Sequence, residues 1–403
     1  MKIAIIGGGA AGFFVAANLH NFSGENEIII FEQGKKTLQK VKISGGGRCN
    51  VTHACWTPHE LIKYYPRGSK ELLGPFTKFC CGDTIEWFEK RGVPLKIEED
   101  GRVFPQSNES QSIINCLEQE IKKNNVHVKL GYKWTGINPI NIHNTYEIHF
   151  SNGQKYEADR VVISTGGNVS SWRNLERMSA SIVSPVPSLF TFNIADPQLN
   201  RLAGISIAHS KISIDGVGEE SGPLLITHWG MSGPVVLKMS SFGALELAKR
   251  NYNFMLKVQW AKLKPYKHWV TAMRETYGKK IISNAIPAPN IPKRLWDYFL
   301  IKSGIDSNEK VGQVTKEEWY NLYSNITCDK YKVKGKSTFK EEFVTAGGID
   351  LKEINFRNFE FKKSPGIFSA GEILNIDAIT GGFNFQNAWT GAYIIADYLN
   401  SEL

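Results

Sequence analysis

A glycine-rich turn near the start of the chain constrains the fold more than any other feature. The apolar run of residues 2–6 leads into Gly7, Gly9 and Gly12, which have the G-x-G-x-x-G spacing. A second apolar run follows and ends at Glu32, twenty residues after the last glycine. A strand, a glycine turn, a helix, a second strand and an acid in this order predict a βαβ unit that binds a dinucleotide.

The same unit indicates how the dinucleotide would be held. Gly9 would let the backbone approach the pyrophosphate, and the helix N-terminus would offer its free N–H groups to the phosphates. Glu32 would accept hydrogen bonds from the adenosine ribose hydroxyls. Its charge would repel a 2′-phosphate, which argues against NADP in this pocket.

The composition is that of a globular protein too long for one simple core. At 403 residues, two or three domains are expected. No apolar run is long enough to span a membrane, and the N-terminus reads as a strand and not as a signal peptide. We therefore expect no membrane association and a cytoplasmic location.

The net charge of +9 raises the question of an anionic partner. The lysines look scattered along the sequence, and no basic run is interleaved with aromatic residues. A basic face that collects anionic cofactors explains the charge equally well, so the sequence disfavours nucleic acid as a partner. The oligomeric state is not indicated.

The six cysteines include no C-x-x-C pair, so neither a dithiol redox centre nor a zinc site is indicated. Cys80 and Cys81 are adjacent and fall within a helical pattern over Leu72–Arg91. We interpret them as two buried core residues on one helix.

Changes in patterning predict three parts of the chain. Residues 1–188 and 337–403 are predicted to form one α/β domain of the Rossmann type. Short strand-like stretches predict an antiparallel β module over residues 189–262, and helical patterns predict a small helical domain over residues 263–336. We interpret Lys330–Lys336 as a basic linker, and we expect the insertion to lie over the ligand as a substrate domain.

Three separated strands end in glycine turns, at Gly7, at Thr165-Gly166 and at Gly371-Glu372. Ligands of an open parallel sheet bind outside the carboxyl ends of the strands, so these turns should converge. A nicotinamide site needs only the first turn, whereas FAD can use all three. The pattern resembles the two-dinucleotide-binding-domain flavoproteins, although Glu372 stands where those proteins have a shorter aspartate.

The segment Lys42–Thr52, with the run Ser-Gly-Gly-Gly-Arg-Cys-Asn, resembles the hallmark of one bacterial family of NAD(P)/FAD-dependent oxidoreductases. That family includes aminoacetone oxidase and an oxidoreductase of bile-acid metabolism. Further similar stretches occur in the same order at Thr227–Pro234, Val344–Ile349 and Phe368–Ala392, so the resemblance covers nearly the whole chain. It implies FAD, a β-barrel-like insert and a small helical domain.

The Ser44–Asn50 loop suits a position against the cofactor. Its three glycines permit positive φ angles, and their N–H groups can form an anion-binding nest. Arg48 is expected either to bind a phosphate or substrate carboxylate or to form a structural salt bridge. Cys49 is expected to pack beside the flavin and not to react.

The last helix is predicted over Asn384–Leu399, directly after Gly381-Gly382-Phe383. In the flavoproteins it resembles, the N-terminus of this helix points at the isoalloxazine, where its dipole would stabilise the reduced flavin. Asn384 is the expected N-cap. Asp377, in the preceding loop, is interpreted as a solvated turn acid.

His228 is the candidate catalytic acid or base, with a role confined to hydrogen bonding in its own loop as the alternative. Ser232 could orient a polar group of the substrate. No metal site is predicted. The predicted cofactor-binding residues are Gly7, Gly9, Ala10, Ala11, Gly12, Glu32, Gln33, Lys40, Ser44, Gly45, Gly46, Arg48, Cys49, Asn50, Val128, Thr165, Gly166, Gly167, Gly371, Glu372, Gly382, Phe383 and Asn384.

These observations predict an FAD-dependent oxidoreductase that acts on a small organic substrate. Only one dinucleotide fingerprint is evident, so NAD(P)H would dock transiently if it is the electron donor. Two mechanisms stay open: NAD(P)H-driven reduction of an unsaturated acceptor, and O₂-coupled oxidation of an amine-like donor. A flavoprotein that modifies nucleic acid such as tRNA, and a non-enzymatic flavin-binding protein, are the alternatives.

Overall fold

A computed structural model describes residues 1–20, 26–140, 145–288, 291–337 and 344–402. The chain divides into two compact units. Unit 1 comprises Met1–Val186 and Val344–Leu403, and unit 2 comprises Pro187–Phe343. The predicted boundary at residue 337 is followed by residues 338–343, which lie outside the described part. The predicted separation of a β module from a helical domain stays a prediction.

Strands and helices are numbered along the chain. The strands of unit 1 are β1 (Lys2–Ile6), β2 (Glu27–Glu32), β3 (Thr52–His53), β4 (Leu95–Ile97), β5 (Arg102–Pro105), β6 (His127–Leu130), β7 (Trp134–Pro139), β8 (Tyr146–Phe150), β9 (Lys155–Ala158), β10 (Arg160–Ile163), β11 (Ile182–Pro187, ending at the boundary), β18 (Thr345–Ile349), β19 (Ile354–Asn355), β20 (Glu360–Phe361) and β21 (Ile367–Ser369). Its helices are α1 (Ala10–Asn18), α2 (Gln39–Ile43), α3 (Pro58–Leu61), α4 (Ser69–Lys78), α5 (Cys81–Glu89), α6 (Ser110–Lys123), α7 (Val169–Arg177) and α14 (Phe383–Ser401).

The strands of unit 2 are β12 (Thr191–Ile194), β13 (Ser206–Ile214), β14 (Gly218–Thr227), β15 (Gly230–Ser232), β16 (Asn253–Gln259) and β17 (Asp329–Ser337). Its helices are α8 (Pro197–Asn200), α9 (Pro234–Phe242), α10 (Ala244–Lys249), α11 (Tyr266–Tyr277), α12 (Lys293–Lys302) and α13 (Lys316–Thr327). Short 3₁₀ turns occur at Ser44–Gly47, Ile62–Tyr64, Ile282–Asn284 and Leu351–Glu353.

A seven-stranded sheet with the order β19-β20-β21-β10-β1-β2-β6 forms the centre of unit 1. β1 pairs in parallel with both β2 and β10, and β10 pairs in parallel with β21. The registers place Ile6 beside Phe31 and Ile163, and Ile163 beside Ser369. The carboxyl ends of these strands therefore share one edge of the sheet, which confirms the predicted Rossmann-type α/β domain.

Helices α1 and α14 pack together against this sheet through buried aromatic side chains. The ring centroids of Phe14 and Trp389 are 5.0 Å apart, and both side chains are fully buried. The apolar content of α1 on all its sides agrees with this buried position, since a surface helix would carry a polar face.

The helix predicted over Leu72–Arg91 is in fact two helices, α4 and α5. Cys80 is the N-cap of α5, and its backbone N–H donates to the carboxylate of Asp83 at 2.7 Å. This capping box begins a new helix. Cys80 and Cys81 are both buried, as predicted, but only Cys81 belongs to a helix.

Unit 2 contains a closed barrel of six strands in the order β12-β15-β14-β13-β16-β17, which confirms the predicted antiparallel β-barrel insert. Alternate residues of its strands, such as Ile212, Leu256 and Val258, are fully buried in the barrel core. The interpretation of Lys330–Lys336 as a linker is wrong. These residues belong to β17, which closes the barrel by pairing with both β16 and β12.

A buried polar group joins β17 to α12 within unit 2. The carboxylate of Asp329 is 3% exposed, and it accepts hydrogen bonds from Lys302 Nζ at 2.6 Å, from Trp260 Nε1 at 3.3 Å and from the Tyr331 hydroxyl. The Tyr331 hydroxyl also lies 3.2 Å from that of Tyr298. A charge this deeply buried is tolerated because the carboxylate oxygens accept these hydrogen bonds and Lys302 supplies the opposite charge.

Substituting Asp329 should therefore destabilise unit 2. Asp329→Ala removes the counter-ion of Lys302 and the acceptor of three buried hydrogen bonds, so the free energy of unfolding should fall by about 2–4 kcal/mol. Urea unfolding followed by tryptophan fluorescence measures this change. Asp215→Ala is the matched control, because Asp215 forms an exposed ion pair with Lys257 and its loss should leave the midpoint unchanged. Equal midpoints for the two variants would contradict the role given to Asp329.

Candidate functional site

The turn between β1 and α1 leaves open space where a phosphate would approach. A Cβ atom added to Gly9 would meet no heavy atom within 4 Å, whereas one added to Gly12 would lie 2.1 Å from the carbonyl oxygen of Gly7. Gly7 itself has a φ angle of +115°. The first glycine thus makes the turn, the second leaves room for a ligand, and the third permits close packing of helix on strand.

Glu32, at the end of β2, is positioned by the backbone. Its two carboxylate oxygens accept hydrogen bonds from the N–H groups of Gly8 at 2.8 Å and Gly34 at 2.7 Å. Each oxygen keeps a second lone pair, so the carboxylate can still accept hydrogen bonds from a ribose.

The structure brings the three predicted glycine turns together. A Cβ atom on Gly7 would lie 2.5 Å from the carbonyl oxygen of Ser164, and one on Gly166 would lie 3.7 Å from Glu372 Oε2. Glu372 forms an ion pair with Lys40 of α2. Residues from four separate segments therefore surround one edge of the sheet.

The side chain of Thr165 gives independent evidence for a ligand at this edge of the sheet. Its Oγ1 atom is buried and has no hydrogen-bond partner among the described residues. Buried hydroxyls are nearly always paired, so this one calls for a partner outside the chain. Together with the open space at Gly9 and the free lone pairs of Glu32, it fits the adenosine and pyrophosphate part of FAD.

The Ser44–Asn50 loop is held in an unusual backbone conformation. Gly45, Gly46 and Gly47 have φ angles of +57°, +68° and +85°, and Cys49 has a φ angle of +61°. A Cβ atom on Gly46 or Gly47 would meet nothing within 4 Å, so their backbone faces free space. This geometry agrees with a loop that lies against a ligand.

Two side chains of this loop, those of Arg48 and Cys49, interact with the protein itself. Arg48 donates to Glu98 Oε1 at 2.6 Å, and its guanidinium lies 3.9 Å from the centre of the Phe104 ring. Of the two predicted roles for Arg48, the structure shows the salt bridge. Burial raises the pKa of the Cys49 thiol to about 12, so this cysteine stays protonated and unreactive.

The N-terminus of α14 is tied to the segment after this loop. With its amide oriented so that the oxygen faces Gly382, the Asn50 side chain accepts a hydrogen bond from the Gly382 N–H at 3.0 Å. Trp389 Nε1 donates to the carbonyl of Val51 at 2.9 Å. A Cβ atom on Gly382 would lie 2.5 Å from the carbonyl oxygen of Thr52. The positive end of the helix dipole is thereby fixed beside the glycine loop.

The expectation that Asn384 caps this helix is wrong. Gly382 occupies the N-cap position, with a φ angle of +92° and no side chain to offer. Asn384 instead accepts from the Ala378 N–H at 3.0 Å and donates to the Ala378 carbonyl at 3.1 Å. It shapes the preceding loop, and the first N–H groups of α14 receive no side-chain cap.

Asp377 is buried, which corrects its interpretation as a solvated turn acid. It is fully buried and forms an ion pair with Arg67, whose side chain is 10% exposed. The two residues also pair through an isolated β-bridge. This contact anchors the loop that leads into α14, because removing either partner would take this counter-ion away from a buried charge.

Sequence reasoning named Phe383 at the start of α14 but missed the two rings that pack against it, those of Tyr64 and His53. The ring of Phe383 stacks on Tyr64 at 4.2 Å and lies 4.5 Å from the ring of His53. His53 Nδ1 lies 3.1 Å from the carbonyl oxygen of Gly381, and burial lowers the pKa of its imidazole. No motif links residues so far apart in sequence, so only the fold could reveal them.

The remaining predicted residues are placed as follows. Gln33 is exposed, Val128 lies within β6 with 37% exposure, and Gly167 follows the Thr165-Gly166 turn. His228 is exposed in the turn between β14 and β15, and Ser232 ends β15. These last two belong to unit 2, whereas the other predicted site residues belong to unit 1.

Two kinds of feature are absent from the described residues. No helix there is both long enough and apolar enough to cross a bilayer. Likewise, within the described ranges, no three side chains of His, Cys, Asp or Glu are grouped so that they could hold a metal ion.

Comparison with known proteins agrees with this site. The family model described as HI0933-like protein Rossmann domain matches residues 1–398. The chain is 28% identical to a ribosomal RNA dihydrouridine synthase from Haemophilus influenzae, with 97% of this chain and 96% of that protein covered. It is 24% identical to the 3-dehydro-bile acid delta(4,6)-reductase of Clostridium scindens, with 98% and 97% covered.

Among solved structures, the fold is similar to that of 3-ketosteroid delta1-dehydrogenase from Sterolibacterium denitrificans. The TM-score is 0.51 at 10% sequence identity, and the alignment covers 100% of this chain and 99% of that one. The predicted fold class, a Rossmann-type FAD-binding domain with a β-barrel insert, is confirmed, and the family supports FAD as the cofactor.

Gly9→Val should abolish FAD binding without unfolding the protein. The backbone of Gly9 is extended, at φ −96° and ψ −166°, and suits valine, so the added methyl groups would fill only the space meant for the pyrophosphate. Bound FAD, measured by absorbance after purification, should fall at least about ten-fold, which is ~1.4 kcal/mol or more of binding free energy. Gly74→Val is the control, since Gly74 in α4 also faces open space. A fully loaded Gly9 variant would overturn the assignment.

His53 should make stability depend on pH. Its pKa in the folded protein lies below the ordinary value of 6.5, so both states are neutral above that pH. As the pH falls below 6.5, the unfolded chain binds the proton first and the free energy of unfolding drops. Urea unfolding at about pH 7.5 and about pH 5.5 should therefore show a smaller loss for His53→Gln than for the wild type. Equal losses would show that His53 does not contribute.

Proposed function

Because the chain belongs to the HI0933-like protein Rossmann domain family, a family of flavin oxidoreductases, we propose that it is an FAD-dependent reductase of a carbon–carbon double bond conjugated to a carbonyl group. The observation that carries this proposal is the cradle in unit 1. There, three glycine turns, the Glu32 carboxylate and the unpartnered Thr165 hydroxyl converge. When bound, FAD supplies the two-electron redox chemistry.

The names of two relatives support a reduction over an oxidation. One is a dihydrouridine synthase, and dihydrouridine is uridine whose C5–C6 double bond, conjugated to the C4 carbonyl, has been saturated. The other is a delta(4,6)-reductase of a 3-dehydro bile acid, whose double bonds can conjugate with the 3-oxo group. In both, an electron-poor double bond gains two electrons and two protons.

The electrons are proposed to come from NAD(P)H that docks transiently. NAD(P)H and one proton are consumed, NAD(P)⁺ is released, and the substrate carbons gain the two hydrogens, so atoms and electrons balance. A cytoplasmic location, where NAD(P)H is available, accords with this role. O₂-coupled oxidation of an amine-like donor, as in aminoacetone oxidase, is the alternative direction.

A uracil base in RNA is the substrate class that the charge distribution favours. Residues 187–343 hold 22 lysines and arginines against 14 aspartates and glutamates, a net charge of +8, whereas the rest of the chain holds 26 against 25. Nearly all of the excess positive charge therefore belongs to unit 2. Concentrated positive charge is what a polyanionic substrate requires.

A small unsaturated ketone is the second candidate substrate, and the bile-acid reductase relative favours it. Such a substrate would bind mainly through apolar contacts and would need no excess of lysine. The sequence predicts only the broader class, a small organic substrate.

Two residues of unit 2 are proposed to act on the substrate. His228 is exposed in the β14–β15 turn, where its imidazole can supply the proton that the reduced double bond needs. Ser232 would orient a polar group such as the conjugated carbonyl. In unit 1, the uncapped N-terminus of α14 would stabilise negative charge that develops nearby.

Anaerobic rapid mixing of the FAD-loaded protein tests this function. NADH or NADPH should bleach the flavin absorbance, and unmodified ribosomal RNA should then restore it with formation of dihydrouridine detectable by mass. His228→Ala should keep the FAD and the bleaching, but slow the second step by about 10²–10⁴-fold. Restoration by an unsaturated steroid ketone and not by RNA would favour the second candidate. Bleaching by a small amine and not by nicotinamides would overturn the proposed reduction.

A further inference from the structure

Strand β17 presents a row of lysines on the outside of the barrel. Along this strand Asp329, Tyr331 and Val333 are buried, whereas the alternate residues Lys330, Lys332 and Lys334 are exposed. We call these three residues the lysine row. Residues two apart on a strand are about 6.6–6.8 Å apart, so the row spans about 13 Å along the barrel surface.

The three ammonium groups of the lysine row are not neutralised by the protein. In the described part of the chain, none of them forms an ion pair or a side-chain hydrogen bond. Across the register with β16, Lys330 faces Lys257, Lys332 faces Met255 and Lys334 faces Asn253, so no carboxylate stands opposite.

Among the described residues, the carboxylate of Asp215 lies near one end of the row. It is bound by Lys257 at 2.6 Å, and the charge of Lys330 also helps to lower the pKa of Asp215. The only acid of β17 itself, Asp329, points inward and is bound by Lys302 at 2.6 Å. The row therefore keeps its positive charge.

Such a row carries a cost in stability. Like charges opposite each other on neighbouring strands are destabilising, and Lys257 and Lys330 form such a pair. The exposed side of a barrel could equally hold threonine, which favours strands more than lysine does. An anion that binds across the row would offset this repulsion.

We propose that the lysine row binds consecutive phosphates of an RNA substrate, and this rests on the proposed function with RNA as substrate. The row is long enough to meet more than one phosphate of an extended strand. Lysines act as point charges toward phosphate, so the row would position the RNA without reading its sequence. Residues outside the lysine row would then recognise the base.

RNA binding by a charge-neutral variant tests the row. Lys330→Gln, Lys332→Gln and Lys334→Gln together should weaken binding of an unmodified, fluorescein-labelled ribosomal RNA transcript to the FAD-loaded protein by about ten-fold or more. The slope of log affinity against log salt should become shallower by about 2, since about 0.7 is lost for each phosphate contact in single strands. Fluorescence anisotropy at several salt concentrations measures both.

Two matched variants make the result specific. The same three positions changed to arginine should keep the affinity within about two-fold, because the charge is kept. Lys63→Gln, Lys90→Gln and Lys123→Gln lower the net charge equally, but in unit 1, and should leave RNA binding nearly unchanged. Wild-type affinity and slope in the glutamine variant of the row would overturn the proposal, as would the absence of RNA binding by the wild type.

A readout of turnover separates this proposal from the proposed function. For the glutamine variant, the KM for RNA should rise while kcat and bleaching by NAD(P)H stay unchanged. If the row governs RNA binding but the wild type forms no dihydrouridine, the row stands and the proposed reaction fails. If dihydrouridine forms equally well in both proteins, the reaction stands and the row fails. Tighter binding of a polyglutamate peptide than of RNA would assign the row to an acidic protein instead.

Discussion

The carbonyl oxygen of Gly7 lies so close to the Cα atom of Gly12 that any side chain at residue 12 would collide with it. This close approach lets α1 begin directly over the end of β1, with its N-terminal N–H groups turned to the ligand space. The parallel registers of β2, β10 and β21 then bring their own turns to the same edge. The steric constraint in the first turn and the shared parallel registers together place the cofactor-binding turns at one edge of the sheet.

The opposite end of the cradle depends on a different kind of constraint. The start of α14 has no side-chain cap, and it is fixed by neighbours instead: Asn50 at Gly382, and Arg67 through the buried Asp377 in the preceding loop. These contacts fix the helix dipole in place before any ligand binds, so little reorganisation is needed when charge develops beside it.

The parts of this design that were predictable from sequence are those in which local geometry demands one residue type. The glycines of the first turn and of the Ser44–Asn50 loop need positive φ angles or open space, and spacing alone exposes them. Asp377 was misread because its partner, Arg67, is 310 positions away, and the N-cap of α14 was misplaced because a glycine fills it. β17 was taken for a linker because its lysines hid the alternation of Tyr331 and Val333 beneath them.

The placement of the insertion has a consequence for how such a protein can change. Strands β11 and β18 pair with each other, and a Cβ atom on Gly347 would lie 2.8 Å from the Cα atom of Pro185. The chain therefore leaves unit 1 and returns to it through two strands that pair with each other. An inserted domain that is joined through one pair of neighbouring strands can be replaced by another without changing the strand order of the parent sheet. Proteins that share one cofactor-binding domain can acquire new substrates in this way, by replacing the inserted domain while the cofactor-binding residues stay the same.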